Sequence, residues 1–411
     1  MKRKNVYQTT VSMLLLSALF NGVFNGFTGI QDIIARKAFN ALDWQLMVLT
    51  MIWPVTNFLS IWWGKILEQS SSKAKFFWAV AVFGRLSLLL AYFTTSMNIY
   101  LLIFGLVSFF NGILSPASNS IYQSNLPHNR SKVFGYTMSL ASSISMIFAF
   151  ISGRYLDSSE ANLKLIFIFV SLAGFISASV LSFIKIEDNK VTYQKKMLRK
   201  EFIVTPLKRA FQLLKTNKPY AHFQRDFTLY GFGFLSLAPV IPIFMVDNLN
   251  LNYTHSFISK GILAQIGFLI LSPIFGRLHD NFHPFKFASY SFGAIAIFPL
   301  LLIVTGQFTN NTFSLIAIYF SFLIYGFAMS GVNMAWNMSS IHFAGNEDAS
   351  MYQSLHITIT GIRGLFAPVL GILAKNYLGI YGAFLMSFCF FASASIFSYR
   401  DYKAYSSGKL N

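Results

Sequence analysis

The sequence has few charged residues: Asp, Glu, Lys and Arg make up 11% of its 411 residues, against roughly 25% in an average soluble domain. Its single cysteine, Cys389, makes an intramolecular disulfide impossible. It also lacks the Gly-x-Ser-x-Gly turn of serine hydrolases and the Gly-x-x-x-x-Gly-Lys-Ser/Thr loop that binds nucleotide phosphates. The scarcity of charge argues against a water-soluble fold, and the missing motifs leave serine hydrolysis and intrinsic ATP drive without support.

Hydrophobic residues make up 55% of the sequence, and the mean hydropathy is +0.54. Windows of about 20 apolar residues, the length that crosses the hydrocarbon core of a bilayer, recur along the whole chain. They lie near 11–34, 44–64, 76–95, 99–123, 133–153, 163–184, 220–246, 257–278, 286–305, 313–340, 351–375 and 378–399. This pattern predicts an all-α membrane protein with twelve transmembrane helices.

The positions of the basic residues in loops explain the formal net charge of +18. With the N-terminus inside, 24 of the 32 Lys and Arg residues lie in inside loops and tails, and six lie outside. Both termini are therefore expected on the cytoplasmic side of the inner membrane, and no nucleic-acid partner is predicted. The basic start, Lys2 to Lys4, precedes an apolar stretch too long for a signal peptide, which indicates a retained first span.

A polar, basic stretch separates the first six spans from the last six. The predicted organisation is an N-terminal six-helix bundle at 1–184, a cytoplasmic linker at 185–218 and a C-terminal six-helix bundle at 219–411. Within the linker, Thr205 and Pro206 form a typical helix start, and the next residues place apolar and basic side chains on opposite sides. The linker is therefore expected to contain an amphipathic helix.

A short motif occurs at equivalent places in the two groups of spans. Gly64 and Glu68 close the second span, and Gly276 and Asp280 close the eighth. A glycine permits close helix contact, and a carboxylate four residues later can bind helix N-terminal amides or a neighbouring cation. The repetition predicts two related halves.

With this motif, the chain resembles the major facilitator superfamily, whose signature between the second and third spans is Gly-x-Leu-x-Asp-Arg-x-Gly-Arg-Lys. The resemblance covers essentially the whole chain. It implies two pseudo-symmetric six-helix bundles, alternating access, and a path lined by the first, fourth, seventh and tenth spans. It also implies that Gly64, Glu68, Gly276 and Asp280 gate the conformational change.

The chain departs from the family's patterns in two places. Ser108 stands three residues before Asn111 and Gly112, where members often carry an arginine tied to proton coupling, so that route has no candidate here. The Gly-Pro-rich motif of drug antiporters is absent from the fifth span, although the eleventh contains several glycines and Pro368. A multidrug-type efflux transporter is the less favoured alternative, and a non-transporting membrane sensor or assembly protein is a further one.

Polar residues recur at helical spacing in the spans that the family uses to line its cavity. Because polar side chains are costly in lipid, such stripes are expected to face the bundle interior. For any single asparagine, a hydrogen bond between helices is an equally good interpretation. The predicted substrate-binding residues are Asn21, Asn25, Asn111, Ser115, Asn119, Tyr230, Tyr325, Asn333, Asn337 and Arg363.

Arg85 in the third span and Arg363 in the eleventh lie near mid-depth, where a cation costs roughly 2.5 to 3.5 kcal/mol on insertion scales. Each is expected to have a partner. Arg363 follows His356 by two turns and is the better candidate for contact with substrate, whereas the role of Arg85 is left open. Asp32 and His356 are candidates for coupling a proton or ion, and Asp226, beside an arginine, is expected to be an ordinary interfacial charge.

A further pattern, His279, Asp280 and His283, resembles the His-Glu-x-x-His zinc motif. Asp replaces Glu and Pro284 follows at once, so neither a metal site nor an enzyme is predicted, and no cofactor is expected. Two mid-depth cations without a clear mid-depth carboxylate favour an anionic or polar neutral solute. The sequence thus predicts a monomeric, lipid-embedded secondary or facilitative transporter of a small solute, with a proton or ion as a candidate coupling partner.

Overall fold

The computed structural model describes residues 2–68, 70, 72–126, 130–185, 208, 212–308, 312–345 and 349–410. Within these residues every regular element is a helix. This follows from the apolar composition, because a chain segment in lipid satisfies its backbone N–H and C=O groups only when it hydrogen-bonds to itself. The all-α membrane fold predicted from the sequence is confirmed. The predicted linker helix at Thr205 and Pro206 lies outside the described residues.

The main helices of the described residues are numbered in chain order. They are α1 (Lys2–Lys37), α2 (Asp43–Glu68), α3 (Ala74–Phe93), α4 (Met97–Asn111), α5 (Leu114–Asn125), α6 (Arg130–Ser158), α7 (Leu163–Ser182), α8 (Lys218–Leu237), α9 (Tyr253–Phe257), α10 (Ala264–Asn281), α11 (Pro284–Thr305), α12 (Thr312–Ala344) and α13 (Ala349–Ser406).

Among the described residues, nine helical stretches are long and apolar enough to cross a membrane, and α4 is a shorter apolar helix. The helix α13 is interrupted at Gly379, which has φ 72° and ψ 175°. This conformation is open to glycine and strained for residues with a Cβ atom. Counting α2, α4 and the two sides of Gly379 as separate passes, the described helices agree with the predicted twelve.

The described residues form two compact units. Unit 1 contains α1 to α7 together with the segment Leu251–Ile262. Its core includes Leu14, Phe77, Ile121 and Ala178, one each from α1, α3, α5 and α7. The helices α1 and α6 approach closely because α1 carries glycine at the contact: a Cβ atom on Gly22 would lie 2.6 Å from the carbonyl oxygen of Ala141.

The segment Leu251–Ile262 is held to the rest of unit 1 by polar contacts. The Asp157 carboxylate, at the end of α6, accepts hydrogen bonds from the backbone N–H groups of Tyr253 at 2.8 Å and Thr254 at 2.9 Å. It thereby satisfies free donors at the start of α9. The Tyr253 hydroxyl donates to Glu160 at 2.7 Å, and Lys260 forms an ion pair with Asp32 of α1.

Unit 2 contains α8 and α10 to α13. Its core is aromatic, with Phe223 and Phe227 of α8 fully buried against Phe292 and Phe285 of α11. Two helix starts in this unit, those of α8 and α11, carry side-chain caps. Asn217, for example, accepts from the backbone N–H of Tyr220 at the start of α8 at 2.9 Å, which pairs a donor that the helix itself leaves free.

Candidate functional site

A buried arginine on α13 is the centre of the polar cluster in unit 2. Arg363 is only 3% exposed. Its Nη1 donates to the backbone oxygen of Phe227 on α8, and its Nη2 donates to Thr360 Oγ1 at 3.1 Å. Its Nε is buried and has no hydrogen-bond partner among the described residues. The guanidinium is therefore a buried cation whose hydrogen-bond partners in the described part of the chain are both neutral.

A glycine on the facing helix makes room for this guanidinium. Gly231 lies one turn beyond Phe227 on α8, and a Cβ atom placed on it would overlap Nε, Cζ and Nη1 of Arg363. Any larger residue at this position would push the arginine away from α8, because packed helices have little space to rearrange. Gly231 thus positions Arg363 through close approach of the α8 backbone.

His356 stands two turns before Arg363 on α13 and is 1% exposed. Its Nδ1 lies 2.9 Å from Oε1 of Gln224 on α8. Because an amide oxygen only accepts, Nδ1 carries the proton and Nε2 of a neutral ring is left as an acceptor. That Nε2 is buried and has no partner within the described part of the chain. The cluster therefore presents a free donor, Arg363 Nε, and a free acceptor, His356 Nε2.

Aromatic rings surround these polar groups. The Arg363 guanidinium carbon lies 5.4 Å from the centre of the Trp336 ring, a distance at which a cation is attracted to the ring face. The His356 ring lies 4.2 Å from Trp336 and 4.8 Å from Phe227, edge-on to both. Tyr230 stacks on Phe292 at 5.0 Å. Apolar surroundings of this kind strengthen electrostatic interactions at the cluster.

The other predicted residues of unit 2 lie on α12. Tyr325 packs against Phe298 at 4.8 Å. Asn337 is exposed, and its amide nitrogen donates to the side-chain oxygen of Asn333 at 3.1 Å. The hydrogen bond of these two asparagines thus joins successive turns of one helix. Trp336, between them in the sequence, is the residue of this stretch that contacts His356.

In unit 1 one predicted residue, Asn111, contacts the second mid-depth cation, Arg85. Arg85 is 3% exposed, donates through Nε to Asn111 at 3.1 Å, and lies 4.4 Å above the Phe24 ring. Its Nη1 and the Asn21 side-chain oxygen are both buried without a hydrogen-bond partner among the described residues. Asn25 is exposed on α1. Arg85 therefore has an amide and a ring as partners instead of a carboxylate.

The burial and contacts of four predicted residues lie outside what the structure describes; they are Ser115, Asn119, Gly64 and Glu68. Asp280 is exposed at the end of α10. A Cβ atom on Gly276 would lie 3.5 Å from Met334 Cε, an ordinary contact. The expectation that glycine at this position serves close helix contact therefore does not hold here, since α12 meets it through a flexible methionine.

The histidines of the zinc-like pattern serve separate ends of two helices. His279 Nε2 lies 3.2 Å from Ser339 Oγ of α12. His283 Nδ1 accepts from the backbone N–H of Phe285 at 3.3 Å and so caps α11. Burial, reinforced by the neighbouring His342, lowers the pKa of His283 to about 4. His283 is therefore neutral near pH 7, as its role as an acceptor requires.

Sequence reasoning missed Gln224, Phe227 and Thr360. A weak signal was present, because Gln224, Phe227 and Gly231 are spaced by three and four residues and so share one face of α8. Asp226 and Tyr230 are the polar residues of this span that stand out in the sequence. Each precedes a residue of that face by one position and so lies on a different face of α8. A single uncharged glutamine near the polar start of a span gave no reason to prefer the first face.

The sequence profile of the Major Facilitator Superfamily matches residues 10–368. No curated protein sequence matches the chain. Similar solved structures include the nucleoside transporter NupG, with a TM-score of 0.73, 14% identity and coverage of 96% of this chain and 99% of that one.

Two further similar structures have comparable scores. A bacterial homologue of the human drug peptide transporters PepT1 and PepT2 has a TM-score of 0.73 at 12% identity, covering 98% of this chain and 99% of that one. A D-xylose-proton symporter has a TM-score of 0.70 at 11% identity, covering 96% and 97%. At such identities the likeness shows a shared fold.

Proposed function

The chain belongs to the Major Facilitator Superfamily, and we propose that it carries a small anionic or polar neutral solute across its membrane by alternating access, as a secondary or facilitative transporter. The family and the fold predicted from the sequence are confirmed, and the superfamily is one of transporters rather than enzymes. The substrate class, the coupling and the substrate-binding residues are proposed.

The buried, unneutralised guanidinium of Arg363 carries this proposal. A buried cation is costly unless it is paired, and an arginine does not escape that cost by losing its proton. Its planar donors match a carboxylate or a phosphate, and hydroxyl oxygens also accept from them. With Nε free and His356 Nε2 available as an acceptor, a polyhydroxylated solute, or an anion that also carries an O–H or N–H group, would complete both groups.

The names of the similar structures are compatible with this class. They describe proteins that transport nucleosides, that resemble peptide transporters, and that move D-xylose with a proton. All three kinds of solute are polar, and peptides also carry a carboxylate. The names support a polar solute without distinguishing among nucleosides, peptides and sugars.

Multidrug efflux is the second candidate, because the same cluster has an aromatic wall. Phe227, Tyr230, Phe292 and Trp336 form a continuous series of ring contacts in unit 2. Flat aromatic surfaces bind hydrophobic organic compounds, including cations. The bare charge of Arg363 opposes a cationic ligand, which is why the anionic or polar class is preferred.

The test is a thermal-shift screen of the purified protein against three matched panels: small carboxylates and phosphates, neutral sugars and nucleosides, and hydrophobic cations. A ligand present at one hundred times its Kd stabilises the folded state by about 2.7 kcal/mol, enough to raise Tm measurably. We expect stabilisation from the first or second panel. Stabilisation by hydrophobic cations alone would contradict the proposal and favour drug efflux.

The variant for this screen is Arg363→Lys, which keeps the charge and loses the planar donors. We expect it to lose at least tenfold in affinity for the stabilising ligand while the protein still inserts in the membrane. Arg154→Lys, the same change at an exposed arginine of α6, is the matched control and should bind normally. If Arg363→Lys lowers only the Tm and preserves ligand affinity, the arginine has a structural role.

A further inference from the structure

A second ionisable cluster of unit 2 lies apart from the Arg363 site, where the first turns of α8 meet the last turns of α13. It contains His222, Arg225 and Asp226 from α8 and Asp401 from α13. Asp226 is 0% exposed and Asp401 is buried, whereas the Arg225 side chain is 44% exposed. The cluster thus joins buried acids to a cation that reaches the surface.

One guanidinium serves both carboxyl groups. Arg225 Nη2 lies 2.8 Å from Asp226 Oδ1 and 2.6 Å from Asp401 Oδ2, and its Nε lies 3.0 Å from the same oxygen of Asp226. A single nitrogen that bonds to both carboxyls holds them side by side. The Phe397 ring, 4.9 Å from the guanidinium carbon, supports Arg225 in this position.

The remaining oxygen of Asp226 has no donor. Asp226 Oδ2 is buried and has no hydrogen-bond partner among the described residues. An ionised carboxylate offers only acceptors, so an orphaned oxygen next to a second carboxylate is doubly unfavourable. A proton bound by one of the two carboxyls would remove one negative charge, as in other carboxyl pairs that cannot both ionise.

The charges around Asp226 are compatible with one bound proton. Among the described residues, the charged side chains that act on Asp226 are those of Arg225 and Asp401. His222 Nδ1 lies 3.1 Å from Asp401 Oδ1, on the far side of that carboxyl. Lys286, on α11, lies against the rings of Phe282 and Tyr402. Two ionised carboxylates and the Arg225 guanidinium carry a net charge of −1, which one proton on the pair balances.

We propose that Asp226 and Asp401 share one exchangeable proton and form a proton-binding site of this transporter. The proton comes from water and returns to it, and the only bond made or broken is O–H. The half-exposed Arg225 and His222 give the pair its access to water. The use of this proton in transport rests on the proposed function, whereas its binding does not.

The test is infrared difference spectroscopy on the purified full-length protein, titrated with acid and base. A protonated aspartic acid has a carbonyl band that an aspartate lacks, and labelling aspartate with a heavy carbon isotope shifts that band and so identifies it. We expect the wild type to show the band near pH 7 and to lose it at alkaline pH. Its absence from the wild type near pH 7 would overturn the proposal without using any variant.

Substitutions then locate the proton. Asp226→Asn and Asp401→Asn should each abolish the band, because each removes one member of the pair. Asp247→Asn, the same change at an exposed aspartate, should leave it intact, and so should His222→Gln. A band that persists in folded Asp226→Asn, or that disappears in His222→Gln, would overturn the assignment. Since no substrate is added, these outcomes are independent of whether the proposed transport is found.

Discussion

At the scale of single residues, the polar cluster of unit 2 depends on Gly231, because its missing side chain leaves the space that the Arg363 guanidinium occupies. Arg363 and His356 can be found from the sequence, because charged and titratable residues stand out in an apolar span. Gln224 cannot, since it becomes the partner of His356 only when α8 and α13 pack closely. That close packing is set by Gly231 and Gly371, whose missing side chains have no hydropathy signal.

The first prediction concerns Gly231→Ala. The added methyl group would overlap the Arg363 guanidinium, so we expect a loss of roughly 1 to 3 kcal/mol of stability from overpacking and weaker binding of any ligand held by Arg363. Thermal melting with and without the stabilising ligand measures both effects.

The control for this variant is Gly105→Ala. Gly105 lies within α4, and a Cβ atom on it meets no other atom within 4 Å. The change should be neutral or should stabilise by about 0.4 to 1 kcal/mol, because alanine has less freedom than glycine in the unfolded chain. If both alanine variants melt alike, the close approach of α8 to Arg363 has no energetic consequence.

At the scale of helices, positions of spans are predicted well and their internal geometry is not. The third span was predicted as a plain helix at 76–95, yet α3 changes to a π-helical turn at Val80–Arg85 and to a 3₁₀ helix at Leu86–Phe93. A π turn contains an extra residue and rotates the side chains beyond it about the helix axis. Hydropathy is insensitive to such a change, so the contact of Arg85 with Asn111 could not be derived.

The second prediction concerns the start of α11. His283 must be neutral to accept the Phe285 N–H, and its pKa in the folded protein is lowered to about 4 by burial and by His342. The unfolded chain, with an ordinary histidine pKa near 6.5, therefore takes up a proton first as pH falls. The stability from this group is complete above about pH 6.5 and is lost progressively toward pH 4.

The measurement is Tm as a function of pH. We expect wild-type Tm to fall between pH 7 and pH 5 more steeply than that of His283→Asn, because asparagine keeps a capping acceptor and does not titrate. Equal slopes for the two proteins would mean that the cap does not respond to pH.

At the scale of the whole molecule, the number of spans and the family were predicted correctly from apolar windows and from a motif repeated in two halves. The packing of Leu251–Ile262 within unit 1 was not foreseen. It depends on contacts such as that of Asp157 with the start of α9, nearly a hundred residues later. Such pairings have no local pattern, because any surface carboxylate can cap a helix that is brought to it.

The third prediction concerns the repeated motif. Glu68→Ala and Asp280→Ala should each slow the exchange between inward-open and outward-open states while ligand affinity is largely retained, because both residues close predicted spans, whereas Arg363 is predicted near mid-depth. Single-molecule fluorescence between labels on the two predicted halves measures the exchange. Loss of binding at an unchanged exchange rate would assign these residues to ligand recognition instead.

The fourth prediction concerns orientation. Because 24 of 32 basic residues fall on one side of the predicted spans, tags at both termini should be reached by membrane-impermeant reagents only from the cytoplasm. A C-terminal tag that is labelled from outside intact cells would imply an odd number of spans.

The break at Gly379 also has a mechanical consequence. One residue separates the last two passes, and the two residues just before it, Tyr377 at 83% exposure and Leu378 at 67%, face outward. A connection this short has no slack, so the two passes cannot change depth independently. A thicker or thinner bilayer must therefore tilt them together, and the aromatic ring of Tyr377, which favours the headgroup region, fixes the level about which they turn.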